Sequence, residues 1–310
     1  MVFSFLRSLA RRLARPSPRG RSRVTRTYRP ELLRLEDRMV PSTVVWDGGP
    51  EGTGTLWSDP TNWVGGHVPM SNDDAVIGAS FAGITIVANQ SAMIHSVTSE
   101  AALQITGGSF FILSDSLIDN DVLVSQDPHT LDASLTFIGT LTVSGAYTQT
   151  GGTTVLLTTT ANPNATLDTA FVDIQGGLLT GEGTITGDLQ NAGTINLGPL
   201  DPVGFPVGTL NVSGNYIQTA SGVLVVKVGQ QGSQLRSDFL NVGGTATLDG
   251  TLNISLIHTY TPHAGDVFVP LSFSDRSGDF ATVNGQTINE HLAFDLAFDD
   301  NNLFLQVNEV

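Results

Sequence analysis

From Ala75 onward the chain is written in short apolar runs separated by small polar residues. Ala75-Val-Ile-Gly, Gly83-Ile-Thr-Ile-Val-Ala, Leu103-Gln-Ile-Thr, Phe110-Phe-Ile-Leu and Leu135-Thr-Phe-Ile are rich in β-branched or aromatic side chains and are punctuated by Gly, Asn, Asp and Ser. Each fits a half-buried strand that ends in a turn, and no stretch carries convincing helical periodicity. The same rhythm runs through residues 184–197, where Ile185, Leu189, Ile195 and Leu197 fit inward positions and Gly187 and Gly193 fit corners between short strands.

One phrase occurs twice. Gly139-Thr-Leu-Thr-Val-Ser-Gly-Ala-Tyr-Thr-Gln-Thr150 returns as Gly208-Thr-Leu-Asn-Val-Ser-Gly-Asn-Tyr-Ile-Gln-Thr219, with nine of twelve positions identical at an offset of 69 residues. Recurrence at long spacing marks stacked units, none of which buries its apolar face alone. Phe171-Val-Asp-Ile-Gln-Gly and Phe239-Leu-Asn-Val-Gly-Gly extend the kinship to the second half of each copy. At roughly 20–25 residues per coil each copy makes about three coils, and residues 75–310 make on the order of ten, with an axis of about 50 Å at ~4.8 Å per step. The pattern predicts an all-β, single-stranded parallel β-helix, expected to be right-handed. Leu141 with Leu210, Val143 with Val212, and Tyr147 with Tyr216 are the expected equivalent positions.

Composition divides the chain. Residues 1–38 hold eleven Arg against three acids, whereas the remainder holds only Lys227, Arg236 and Arg276 against 26 acids. The split predicts a basic leader over residues 1–42, a tryptophan-bearing cap over 43–78, and the solenoid over 79–310 with copies at 139–207 and 208–277. Phe3, Phe5, Leu6, Leu9 and Leu13 alternate with arginines as a short basic amphipathic helix that Pro16 and Pro18 must end. No run of about 20 apolar residues exists to span a membrane. A body so poor in basic residues is unsuited to nucleic acid, and the absence of cysteine removes disulfides and thiolate chemistry.

Two resemblances add to this reading. Pro30-Glu-Leu-Leu-Arg-Leu-Glu-Asp-Arg-Met-Val-Pro-Ser42 resembles the N-terminal targeting segment of large planctomycete surface and secreted proteins, with Leu35, Glu36, Asp37 and Arg38 at the matching positions and Asp37 in place of the commoner proline. It implies export, with the export machinery as a partner. Trp46-Asp-Gly-Gly, Trp57-Ser-Asp-Pro-Thr-Asn-Trp63 and Asp73-Asp-Ala-Val-Ile77 resemble the opening of autotransporter-type passenger β-helices, of pectin-lyase-like architecture. Asp238-Phe-Leu-Asn-Val, Gly250-Thr-Leu-Asn-Ile, Tyr260-Thr-Pro-His-Ala-Gly-Asp-Val-Phe268, Gly278-Asp-Phe280 and Leu303-Phe-Leu-Gln-Val307 resemble their end. Nothing resembling the membrane-inserted barrel of such proteins follows Val310, so another secretion route is expected.

Candidate chemistry is sparse. The six histidines show no metal-ligand spacing, the acids between Asp115 and Asp132 lack the order of a calcium loop, and no nucleophile elbow or phosphate loop occurs, so no metal or cofactor is expected. Asp299-Asp-Asn-Asn302 reads as a hairpin turn between Phe294–Phe298 and Leu303–Val307. Trp46, Trp57 and Trp63 fit either a plug for the open end of the solenoid or an aromatic platform for sugars. The expectation is a non-catalytic extracellular or cell-surface β-solenoid, structural or adhesive, contacting matrix, glycan or neighbouring copies. The alternatives are a polysaccharide hydrolase or lyase, which requires acids converging in a groove, and a lectin-like binder, which requires exposed tryptophan rings.

Overall fold

A computed structural model of the chain describes residues 40–125, 133–160, 162–198, 207–257 and 260–310. The predicted helix over the first residues and the targeting residues Leu35, Glu36, Asp37 and Arg38 lie outside the described residues, as do Asp127 and Asp132. Among the described residues the only helical elements are the 3-10 turns Pro60–Asn62 and Ala79–Phe81.

Each passage of the chain lays one short strand on each of three sheets, of twelve, ten and nine strands, and the next passage repeats the order. Thr140–Val143, Tyr147–Gln149 and Thr153–Leu156 make one such turn, and Thr166–Asp168, Phe171–Ile174 and Leu178–Gly181 make the next, paired in parallel with the first. This is an all-β parallel solenoid. Alternation decides which side chains enter it, because successive residues of a strand point to opposite faces. On the twelve-stranded sheet Leu141 stacks on Leu167, Leu167 on Ile185 and Ile185 on Val212, all buried, while the intervening Thr and Asn face outward. Ile185, Leu189, Ile195 and Leu197 all point inward as expected.

The repeated phrase occupies the same sheets in both copies, three turns apart. Tyr147 stacks through Val172 and Leu189 on Tyr216, so the two tyrosines are equivalent and both are buried. Leu141 and Leu210 also face inward, but Leu141 shares its column with Val212, a shift of two residues along the strand. Corners of unequal length after Val143, Asp168 and Ile185 absorb the difference. Equivalence then ends. Phe171–Ile174 lies on the nine-stranded sheet and Phe239–Val242 on the twelve-stranded one, so the second kinship does not mark a structural repeat. In the second copy the strand Val223–Gln231 is nine residues long and folds back as a hairpin with Gln234–Ser237, which puts all later strands out of phase.

One of the one-residue corners depends on glycine. Strands Leu178–Gly181 and Gly183–Ile185 are separated by Glu182 alone, with Gly181 at φ 107° and Gly183 at φ 153°. A Cβ at either position would lie about 2 Å from a carbonyl oxygen of the turn below, Leu156 at 2.0 Å and Ala165 at 2.1 Å. Only glycine permits this approach.

A column of amides stands inside another corner. Gln149, Asn191 and Gln218 share one register column of the nine-stranded sheet and are fully buried. Gln149 Nε2 donates to the carbonyls of Gly152 and Gly176, and Gln218 Nε2 donates to those of Asp249 and Thr251. The amides thus satisfy carbonyls that the corners turn away from the ladders. Burial pushes both tyrosine phenols well above their ordinary range, and each remains a neutral partner, Tyr147 of Thr154 and Tyr216 of Gln218.

Both ends are closed by aromatic rings. At the N-terminal end Ser42–Val45 pairs with Asp73–Ile77, so Ser42 is already part of the first turn. The Ser42 hydroxyl donates to Asp73. At the far end the hairpin Leu292–Phe298 and Asn302–Glu309 adds two antiparallel strands to the twelve-stranded sheet. Phe268 meets Tyr260 and Phe294 edge to face, and Phe298 packs against Phe273 and under the Arg276 guanidinium, 4.0 Å from the ring centroid. Asp299-Asp-Asn-Asn302 is the turn of this hairpin, as expected.

Candidate functional site

The three tryptophans form one cluster inside the first turn. Trp46 and Trp57 each meet Trp63 edge to face at centroid distances of 4.8 Å, and Trp57 reaches Phe110 of the turns above at the same distance. None is more than 2% exposed. Trp63 Nε1 donates to the Trp57 carbonyl, while the indole nitrogens of Trp46 and Trp57 have no partner. A sugar platform needs an open ring face, and the burial of these rings favours the plug over the platform. The cluster fills the end of the axis.

Acids converge at the C-terminal end. Asp275, Asp299 and Asp300 line a polar pocket of about 410 Å³ with Arg276. Asp299, Asp275 and Arg276 each hold a local turn. The backbone N–H of Asn301, and then that of Asn302, hold the Asp299 carboxyl below the usual carboxylate range. Asp275 accepts from the Arg276 backbone, and the Arg276 guanidinium donates to Asp279.

A second polar pocket of about 410 Å³ opens beside the glycine-flanked corner, lined by Glu182, Gly208, Thr209, Gln231, Arg236 and Ser237 with Val207. Burial raises the Glu182 carboxyl above its ordinary value. The adjoining hairpin holds a buried ion pair, Lys227 with Asp238. Asp238 is fully buried and accepts from the Gly208 and Lys227 backbone N–H groups and, at 2.9 Å, from Lys227 Nζ. Lys227 also donates to Asn196 Oδ1 and the Leu197 carbonyl. Burial pushes the Asp238 carboxyl up to about 6 against the pull of the Lys227 ammonium and the backbone donors. Sequence spacing placed Lys227 and Arg236 apart, and the hairpin brings them onto adjacent strands through the pairing of Gly229 with Arg236. The alternating pattern of Val223–Gln231 was visible, but its fold-back was not.

The outward faces carry the most extensive arrangement. On the twelve-stranded sheet Thr140, Thr166, Thr184, Asn211, Asn241 and Ser272 stack in one column over successive turns, each half-exposed. Asn241 Nδ2 donates to Asn211 Oδ1 at 3.0 Å and the Ser272 hydroxyl donates to Asn241 Oδ1 at 2.8 Å. Asn284 and Asn253 on the ten-stranded sheet, and Ser277 and Thr247 on the nine-stranded one, repeat the device. These are rows of neutral donors and acceptors at the ~4.8 Å ladder spacing.

Among the described residues no cluster of His, Asp and Glu is arranged to hold a metal ion. No protein-family profile matches the chain, and no curated protein matches it.

Proposed function

We propose that this chain is a non-catalytic extracellular or cell-surface β-solenoid, a structural or adhesive module that makes many weak contacts with matrix, glycan or neighbouring copies. The polar columns carry the reading. A row of short neutral side chains repeated over at least six turns offers equivalent contacts to a repetitive partner, and such contacts gain strength by number rather than by individual affinity. The burial of Trp46, Trp57 and Trp63 and the engagement of Asp299 by the N–H groups of its own turn support this reading over a discrete lectin or hydrolase site.

Incubation of the purified chain with a panel of acidic and neutral polysaccharides tests this directly. The expected outcome is weak binding that grows with polymer length, with no chain cleavage; turnover of any one polymer at enzymatic rates sinks the non-catalytic reading.

Export through Leu35, Glu36, Asp37 and Arg38 belongs to the same proposal. Deleting residues 1–39 is expected to leave the thermal unfolding of the solenoid nearly unchanged, because Ser42 and its Asp73 partner are retained, and to abolish appearance outside the cytoplasm. Equal surface localisation of the two forms in the native host would dispose of the targeting role.

A further inference from the structure

Among the described residues the first turn, unlike the later ones, pairs with two of the three sheets and not with the third. Ser42–Val45 extends the twelve-stranded sheet, and Leu56 bridges to Val87 on the nine-stranded one. The next passage, residues 58–72, contains only the 3-10 turn Pro60–Asn62. Among the described residues the ten-stranded sheet therefore ends at Ala92–Ile94, which pairs with Phe110–Ile112 on one side and with no described strand on the other. Val68–Ser71 runs beside this edge without pairing to it. Met70 N–H donates to the Asp73 carboxylate, the Met70 carbonyl accepts from the Asp73 N–H, and Pro69 has no N–H to donate.

Between these segments lies a slot of about 450 Å³, lined by Trp57, Val68, Met70, Ala92 and Met93 among others. No lining residue is charged. Met70 and Met93 stand at its mouth, 65% and 49% exposed. An open strand edge presents backbone donors and acceptors at a spacing that another extended backbone satisfies. Methionine side chains adapt to varied apolar groups.

We propose that this slot is a β-augmentation site, which takes an extended, uncharged peptide segment of a partner protein as the strand missing beside Ala92–Ile94. An apolar side chain of the peptide enters between Met70 and Met93. Acidic segments are excluded by the neutral lining and by a body that carries 26 acids against three basic residues beyond residue 38. The C-terminal hairpin and Ser42–Val45 extend the twelve-stranded sheet at its two ends, and neither extends the ten-stranded sheet whose edge lies in the slot. A concentration-dependent dimer that protects Ala92–Ile94 would assign the slot to a second copy and overturn the proposal.

The test pans a phage-displayed library of random heptapeptides on the full-length protein, with Met93→Lys, Met70→Lys and the remote Thr247→Lys in parallel. Each variant is first checked for an unchanged unfolding midpoint. Uncharged, β-branched sequences are expected to be enriched on the wild type, to slow amide exchange at Ala92–Ile94 when added as synthetic peptides, and to bind Met93→Lys or Met70→Lys at least tenfold more weakly than Thr247→Lys. No enrichment, equal enrichment on the wild type and both methionine variants, or binding that leaves exchange at Ala92–Ile94 unchanged overturns the proposal. So does equal protection of these amides by octyl glucoside, which would make the slot a small-molecule pocket.

Discussion

Trp63→Ala is expected to destabilise the protein by about 3–5 kcal/mol, the range for removing a large buried aromatic side chain. Trp63 is the middle ring of its cluster, in edge contact with both Trp46 and Trp57, so its removal leaves two rings without their shared neighbour. It also leaves the Trp57 carbonyl without the indole donor. The loss should be felt first where it occurs, because stacked turns contact only their neighbours and fray from the ends. Amide exchange should therefore accelerate at Val44–Trp46 and Asp73–Ile77 while the strands near Leu167 and Leu189 keep their protection. Trp63→Phe retains most of the apolar filling and should cost roughly 1–2 kcal/mol. Denaturant unfolding that leaves Trp63→Ala as stable as the wild type would mean that the cluster does not close the axis.

Much of this end was legible beforehand. Large apolar residues in a segment without strand periodicity suit a plug better than a ladder, and the restriction of all tryptophans to residues 46–63 marked the plug. The opposite plug was harder to read. Tyr260, Phe268, Phe273, Phe294 and Phe298 are spread over residues that also form strands, and only the hairpin turn at Asp299 hinted that the chain doubles back.

The repeat shows where sequence comparison stops being geometry. Nine identities in twelve residues located two strands of the same two sheets and the matching tyrosines, since strand period and corner chemistry are local properties. Lateral register is not local. It depends on how many residues each intervening corner spends, and the corners differ from turn to turn, so Leu141 meets Val212 rather than Leu210. The second half of the repeat failed for the same reason. Phe171-Val-Asp-Ile and Phe239-Leu-Asn-Val have the pattern of any solenoid strand, and the extra residues of Val223–Gln231 and its partner strand move the later copy to another face.

The missing strand of the first turn and the Lys227–Asp238 pair were illegible for a further reason. An absent strand leaves no pattern, and a charge at an outward position such as Lys227 reads as a solvated residue until a neighbouring hairpin covers it. Its partner Asp238 directly precedes a strand, where an acid usually ends a turn in water. Here it is fully buried, and its consequence for stability can be measured.

Asp238→Ala is expected to destabilise the fold at neutral pH by about 2–3 kcal/mol, toward the low end for breaking a buried ion pair, because Lys227 keeps Asn196 and Leu197 as acceptors. The Gly208 and Lys227 backbone N–H groups lose their carboxylate. The pH dependence distinguishes desolvation from attraction. Burial raises the folded-state pKa of Asp238 to about 6, above an unfolded value of about 3.9. Folding therefore takes up a proton between these values, and the stability contributed by Asp238 is fully present below about pH 4 and is lost as pH rises through about 6. A shift of that size corresponds to on the order of 3 kcal/mol. The cost of Asp238→Ala, measured as the difference from wild type in denaturant unfolding, should be larger at pH 4 than at pH 7 by about that amount. Had attraction to Lys227 outweighed desolvation, the folded pKa would lie below the unfolded one and the cost would grow as pH rises. A difference that increases from pH 4 to pH 7 would thus show the ion pair, not burial, to dominate at this corner of the solenoid.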